Sequence, residues 1–320
     1  MGTAVLLLAL VAPAVVAGCS GDDDSDGSGA GGDRLQVVAS FYPIAEAAAR
    51  VGGDRVEVTN LTPPGVEPHD FELAPDDVDH LEDADVVLYL GDDFQPAVAE
   101  MAERQDDAVD LMAGLDLEAG ASDAIAAEEA SESEEETGFG TDDDHGVDPH
   151  FWLDPTLLAS AVDEIEAALS DAAPDDAATF AANARAYTDE LTALDDELSA
   201  GLADCERDQI VTSHAAFFYL ARRYGLTQLP IAGLSPESEP DADRIAELAD
   251  RIDEDGITTV FYETLVAPDV AETLAREADV DTAVLDPIEG LSDEQIDAGD
   301  DYASVMRDNL AALREALGCA

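Results

Sequence analysis

Residues 174–203, PDDAATFAANARAYTDELTALDDELSAGLA, place Phe180, Ala184, Tyr187, Leu191, Leu194 and Leu198 at steps of three and four. That spacing puts the apolar side chains on one face of a helix, and Pro174 suits its start. At 1.5 Å per residue such a helix spans roughly 45 Å. So long a helix is either a core helix or a strut between two bodies, and its flanks decide between them. Upstream, Asp154-Pro155 offers an N-cap followed by Pro at the first helical position, opening a helix through about Ser170. Further upstream, 35–41, 56–61 and 85–90 are short β-rich runs, with Ala-, Leu- and Glu-rich segments between most of them. Downstream the alternation restarts with 209–212, 228–231, 258–262 and 282–285, and a last helix over 302–317 ends at Gly318. Strands alternating with helices imply parallel α/β layers. The expected fold is therefore α/β: two lobes with parallel sheets, residues 34–172 and 205–320, joined by one long connecting helix within 173–204.

A chain of 320 residues with 46% hydrophobic content can bury cores for two such lobes. Its charge is extreme: 13 basic residues, all Arg, stand against 76 acidic ones, for a net −63. Self-repulsion of that size is relieved in molar salt, where the screening length falls to about 3 Å. The composition thus points to a halophilic protein. It also excludes nucleic acid as a partner, because too few cations are present to neutralise phosphates. Residues 117–147 interrupt the α/β pattern with an acidic, Gly- and Ser-containing run that reads as a mobile surface loop.

At the N-terminus, residues 5–16 form an apolar run of signal-peptide length, too short for a permanent transmembrane helix. Val16-Ala17-Gly18-Cys19 follows and resembles a lipobox, in which Cys19 would be lipidated and become the mature N-terminus. No basic residue precedes the run, so either the start lies upstream or export tolerates its absence. Residues 20–33, rich in Gly, Ser and Asp, read as a flexible acidic tether after a signal segment 1–19. Cys205 and Cys319 are then left as a pair in an oxidising compartment, either bridged or as two free thiols.

The chain has five histidines, and three lie in polar, turn-like sequence at expected strand or loop ends. They are His69 in PPGVEPHDFE, His150 in DPHFWLDP and His214 in VTSHAAFF. In open α/β sheets ligands collect beyond the carboxyl ends of strands. Asp286, directly after the run 282–285, occupies an equivalent strand end. Three imidazoles and one carboxylate suit Zn²⁺ at about 2.0–2.2 Å. Ligands drawn from both halves would place the metal in an interlobe cleft and let it clamp the lobes. Glu263, after the run 258–262, is placed to accept a hydrogen bond from a ligand His and fix its tautomer. His80, within a helical pattern, is expected to face solvent.

At these residues the sequence resembles the metal-binding lipoproteins of ABC importers, the zinc-uptake ZnuA/TroA-like family, from residue 35 to 317. PHDFE around His69 is similar to the family's first ligand motif, DPHFWLDP around His150 to its second, and SHAAF around His214 to its third. The resemblance implies two α/β lobes on one long helix and carries Asp286, in Leu-Asp-Pro, over as the fourth ligand. A third position occupied by His implies zinc, where Glu would imply manganese. It further implies an ABC transporter permease as partner, a monomer, and a lipid anchor on the outer face of the cell membrane. The chain departs from the family in its loop, which is acidic and holds only His145 where zinc-type relatives often carry a His-rich stretch.

Three other readings stay open on sequence. A manganese- or iron-binding member of the same family keeps the role and changes the cargo. A zinc hydrolase needs an open fourth position, and no HExxH, nucleophile elbow or P-loop occurs. An adhesin needs a cell-binding face that nothing in the sequence marks. The expected function is capture of Zn²⁺, with no catalysis.

Overall fold

The computed structural model describes Met1 and residues 34–91, 94–117, 147–238 and 240–320. The expected signal segment with Cys19, the tether, and the acidic loop with His145 lie outside the described residues, apart from the loop ends Leu117 and Val147.

Strand β3 (Val86–Tyr89) reads VVLY and is buried at every position, as a parallel strand covered on both faces must be. Around it β1 (Leu35–Ala39), β2 (Val56–Asn60) and β4 (Ala108–Asp110) complete an all-parallel sheet of order β2-β1-β3-β4. Alternate residues serve the two faces. Val37, Ala39, Val86 and Leu88 join the main core, whereas Val38, Val87 and Tyr89 pack with Leu81 and Val98. Those last two come from α2 (Pro75–Asp83) and α3 (Pro96–Ala102). The main core's side is covered by α1 (Tyr42–Gly52) and α4 (Pro155–Ala172). Asp154 caps α4, accepting the Thr156 N–H at 2.8 Å, with Pro155 at the first helical position.

The second lobe repeats the plan. Strands β5 (Gln209–Thr212), β6 (Thr227–Pro230), β7 (Thr259–Tyr262) and β8 (Asp281–Val284) form an all-parallel sheet of order β6-β5-β7-β8. Its helices are α6 (Phe218–Tyr224), α7 (Ala242–Asp255), α8 (Asp269–Ala278), α9 (Asp293–Ala298) and α10 (Tyr302–Leu317). Gly318 ends α10 in the left-handed region, φ 69°. The order change at β1/β3 in one lobe and β5/β7 in the other opens a crevice beyond the strand ends.

The connecting helix α5 runs Ala177–Gly201, about 37 Å at 1.5 Å per residue. It is shorter than the expected 173–204 because 173–176 close a turn first, with Asp176 N–H on the Ala173 carbonyl at 3.0 Å. All six residues of the sequence stripe are buried. They face α4 and α1 of the first lobe, while α5 also meets α10 of the second. Core helix and strut are thus one element. Arg223 of α6 grips Asp195 of α5 through two hydrogen bonds at 2.9 and 2.6 Å, and Cys205 just beyond α5 is disulfide-bonded to Cys319 beyond α10. Among the described residues no helix is long and apolar enough to cross a membrane.

Candidate metal centre

His214 lies two residues past β5, and Glu263 directly follows β7, its neighbour in the sheet. The Glu263 Oε1 accepts the His214 backbone N–H at 3.2 Å and stands 2.8 Å from its Nδ1. Both side chains are buried. His150 sits between the acidic loop and the 3-10 turn Phe151–Leu153 that leads into α4. Asp148, two residues before it, repeats the arrangement: its Oδ1 accepts the His150 N–H at 2.9 Å and lies 2.7 Å from Nδ1. His69 arrives on the loop after β2, which turns at Gly65 with φ 73°. The Glu67 carboxylate receives the N–H groups of His69 and Asp70 at 3.1 and 3.2 Å, and the His69 ring rests on Phe94 with centroids 4.7 Å apart.

The three imidazoles converge on a residue that the sequence reading missed. Glu289, on the loop after β8, places Oε1 at 3.4 Å from His69 Nε2, 3.2 Å from His150 Nε2 and 3.3 Å from His214 Nε2. The His150 and His214 Nε2 atoms are 3.3 Å apart. Among the described residues His69, His150, His214 and Glu289 bring ligand atoms within 4.8 Å of one another. A tetrahedron of N and O ligands about 2.0–2.1 Å from a zinc ion has edges of about 3.3–3.4 Å. The four edges among these distances agree with it to within about 0.1 Å.

Asp286, expected as the fourth ligand, is not in this cluster. Its Oδ2 accepts from Thr264 Oγ1 at 2.8 Å and Gln295 Nε2 at 2.9 Å, and its Oδ1 accepts the Ile288 N–H at 2.7 Å. With both oxygens engaged by protein donors, the carboxylate is committed to shaping the loop that carries Glu289. In sequence the two acids sit three residues apart in LDPIEG, and no local periodicity chooses between them. Asp148 was legible in principle, since Asp-Pro favours a local side-chain turn. His80 is exposed on α2.

Hydrogen-bond partners set the tautomers. Nδ1–H of His150 is directed to Asp148 and Nδ1–H of His214 to Glu263, so each Nε2 presents a lone pair. Nε2 lone pairs and a carboxylate oxygen then face one another across about 3.3 Å, and Glu289 Oε2 is buried without a partner. Only a proton or a metal cation relieves that arrangement. The titration of the groups reflects it. Burial opposes charging of His150 and His214, but Asp148 outweighs it and raises His150, while Glu263 and Glu289 raise His214 well above an ordinary imidazole. His69 is lowered by burial. Burial and the Glu289 charge push Glu67 up to about 7. Glu289 itself is held well below the usual carboxylate range: burial opposes its charge, but His214 and the other two imidazoles prevail.

Four similarities bear on this geometry. Residues 37–316 match the family described as "Zinc-uptake complex component A periplasmic", ZnuA. The high-affinity zinc uptake system protein ZnuA of Bacillus subtilis is 37% identical over 307 residues, 95% of this chain and 94% of its own. The zinc-binding lipoprotein AdcA of Streptococcus pneumoniae is 36% identical over 310 residues, 97% of this chain, which spans only 60% of AdcA's length. The crystal structure of the Zn(II)-bound ZnuA-like domain of that AdcA has a TM-score of 0.73 at 34% identity, covering 89% of this chain and 99% of the domain. The two-lobed parallel α/β architecture read from the sequence is the architecture of these relatives, and the chain belongs to the ZnuA family.

Proposed function

We propose that the protein captures Zn²⁺ outside the cytoplasm and delivers it to the permease of an ABC importer. The observation that carries this reading is the convergence of His69, His150, His214 and Glu289, with ligand atoms within 4.8 Å of one another and Glu289 Oε1 3.2–3.4 Å from all three Nε2 atoms. Imidazole-rich sets suit zinc better than manganese, which prefers oxygen ligands in an octahedral shell. That the AdcA domain is described as Zn(II)-bound supports the same cargo. Glu289 supplies a fourth ligand, where a zinc hydrolase keeps that position open for water, and the family is an uptake component rather than an enzyme family. Lipidation of Cys19, an acidic tether and a monomeric body complete the proposal, with the acidic surface serving hydration in brine. Deletion of the gene tests the uptake role. Growth failure under zinc chelation that added zinc repairs, and manganese does not, is the expected result; unchanged growth would refute it.

Two solution properties follow from the same atoms. Zinc needs neutral imidazoles, so protons compete for His150 and His214. Because their partners raise both groups, each is neutral only above its raised value and becomes protonated as pH falls through it. Affinity is therefore expected to drop before the ordinary imidazole value of about 6.5 is reached, by about ten- to a hundredfold between pH 7.5 and 6. His69, lowered, does not join that competition. Chelator competition across this range checks it, and a flat profile would contradict the raised pair. Truncating the supporting acids, Glu263→Ala or Asp148→Ala, is expected to weaken zinc binding about 10- to 100-fold. Isothermal titration within twofold of the unmodified protein would remove them from the site's design.

A further inference from the structure

We infer that Asp286 is the positioning residue for Glu289: it holds the 286–291 loop in the one conformation that brings the fourth carboxylate to the histidines. This rests on the zinc-binding reading above and deepens it.

The loop needs such a device because it contains a backbone geometry that its residues disfavour. Ile288 is β-branched, buried and at φ 55°, a left-handed conformation that such a residue disfavours. That residue immediately precedes Glu289. The Ile288 N–H is satisfied by Asp286 Oδ1 at 2.7 Å, so the carboxylate bonds the strained residue itself. Its other oxygen is anchored on two further elements, by Thr264 Oγ1 on the segment after β7 and by Gln295 Nε2 of α9. The Asp286 backbone is fixed in both directions by Asn309 of α10, which accepts its N–H at 2.8 Å and donates to its carbonyl at 2.7 Å.

The rest of the loop faces the first lobe. The Pro287 carbonyl accepts Trp152 Nε1–H at 2.7 Å, two residues from His150. The Leu291 carbonyl accepts the Gly65 N–H at 3.0 Å, on the loop that carries His69. Asp286 therefore fixes the second-lobe root of a segment that touches both first-lobe ligand loops and bears Glu289 between those contacts. Loss of the root frees Glu289 to leave the tetrahedron, which should cost zinc more than it costs a metal tolerant of irregular oxygen shells.

The test compares Asp286→Asn, Asp286→Ala and Glu289→Gln in the full chain, by zinc and manganese affinity and by the visible absorption of bound Co²⁺, which reports tetrahedral geometry. Asn retains an oxygen for the Ile288 N–H but is no carboxylate ligand. Expected are a loss in zinc affinity below tenfold for Asp286→Asn, about 10- to 100-fold for Asp286→Ala, and more for Glu289→Gln. The Asp286→Ala protein should also give a weakened Co²⁺ band and a zinc-to-manganese preference at least tenfold lower. If Asp286→Ala fails to fold, Thr264→Val with Gln295→Leu removes the anchors and is expected to give the same changes. Asp286→Asn as damaging as Glu289→Gln would make Asp286 a direct ligand and overturn the inference, as would unmodified affinity and spectrum in the anchor variants. Failure of the unmodified protein to bind zinc would instead overturn the zinc reading.

Discussion

His214→Ala is expected to weaken zinc binding by about a hundred- to a thousandfold while leaving the metal-free fold intact. Structural four-ligand zinc sites supply about 10–16 kcal/mol of binding free energy, so one ligand's equal share is about 2.5–4 kcal/mol. His214, like His150, is wholly buried, so solvent does not stand ready to replace its nitrogen. The scaffold around it survives the change: Glu263 keeps the backbone N–H of residue 214 at 3.2 Å, and Gln228 Nε2 still donates to the carbonyl of residue 214 at 2.9 Å. The variant should therefore show an ordinary unfolding transition without metal and lose only the rise in midpoint that zinc gives the unmodified protein. Chelator competition and thermal scans with and without zinc check both halves. A loss of less than tenfold would mean that His214 is a buried structural histidine.

Removing the disulfide is the second large effect. The bridge between Cys205 and Cys319 closes a sequence separation of 114 residues, and constraint of the unfolded chain by a loop of that size stabilises by about 3–5 kcal/mol. Its surroundings are already ordered: the N–H groups of Glu206 and Arg207 donate to the Leu317 carbonyl at 3.0 and 3.1 Å, and Ala320 N–H returns to Asp204 at 3.0 Å. Arg207 Nε also donates to the Ala316 carbonyl at 3.1 Å, at the C-terminal end of α10. The native contacts should persist in Cys205→Ser/Cys319→Ser, so the cost falls on the unfolded ensemble. Guanidinium unfolding in molar KCl is expected to lose about 3–5 kcal/mol, with zinc affinity within a few fold. Two free thiols in the denatured, unreduced protein, or coincident unfolding curves, would show that the bridge does not form.

Much of this architecture was readable from residue spacing. The stripe from Phe180 to Leu198 is continuous and one-sided, so the 3.6-residue period identifies α5 without tertiary knowledge. The end of that helix was less legible. Pro174 looks like a first helical residue, yet the chain closes a turn through Asp176 before the helix starts at Ala177. Strand β4, three half-buried residues in Ala108–Asp110, is too short to leave a period of its own. It is held by pairing with β3 rather than by local preference.

The site divides along similar lines. Histidine is scarce in this chain, with five residues, so each position carries information; acidic residues number 76, and a carboxylate ligand hides among them. Choosing Glu289 over Asp286 required the backbone at Ile288. Isoleucine is among the residues least expected at positive φ, and the turn exists because Asp286, Thr264, Gln295 and Asn309 together over-determine it. That information is tertiary. The pairing of Glu263 with His214 was accessible earlier because both follow strands, and strand ends that neighbour one another in a parallel sheet bring their next residues together.

The most direct test is a competitive titration of the purified protein in molar KCl, with zinc and manganese against a chromogenic chelator, read also through the fluorescence of Trp152. That side chain is the only tryptophan and packs 5.2 Å from the His150 ring, centroid to centroid. One-to-one zinc binding that outcompetes manganese, perturbs Trp152 and is lost in His69→Ala, His150→Ala and Glu289→Ala is the predicted result. Zinc binding that survives these three substitutions, or a preference for manganese, would contradict a zinc centre built from three histidines and Glu289.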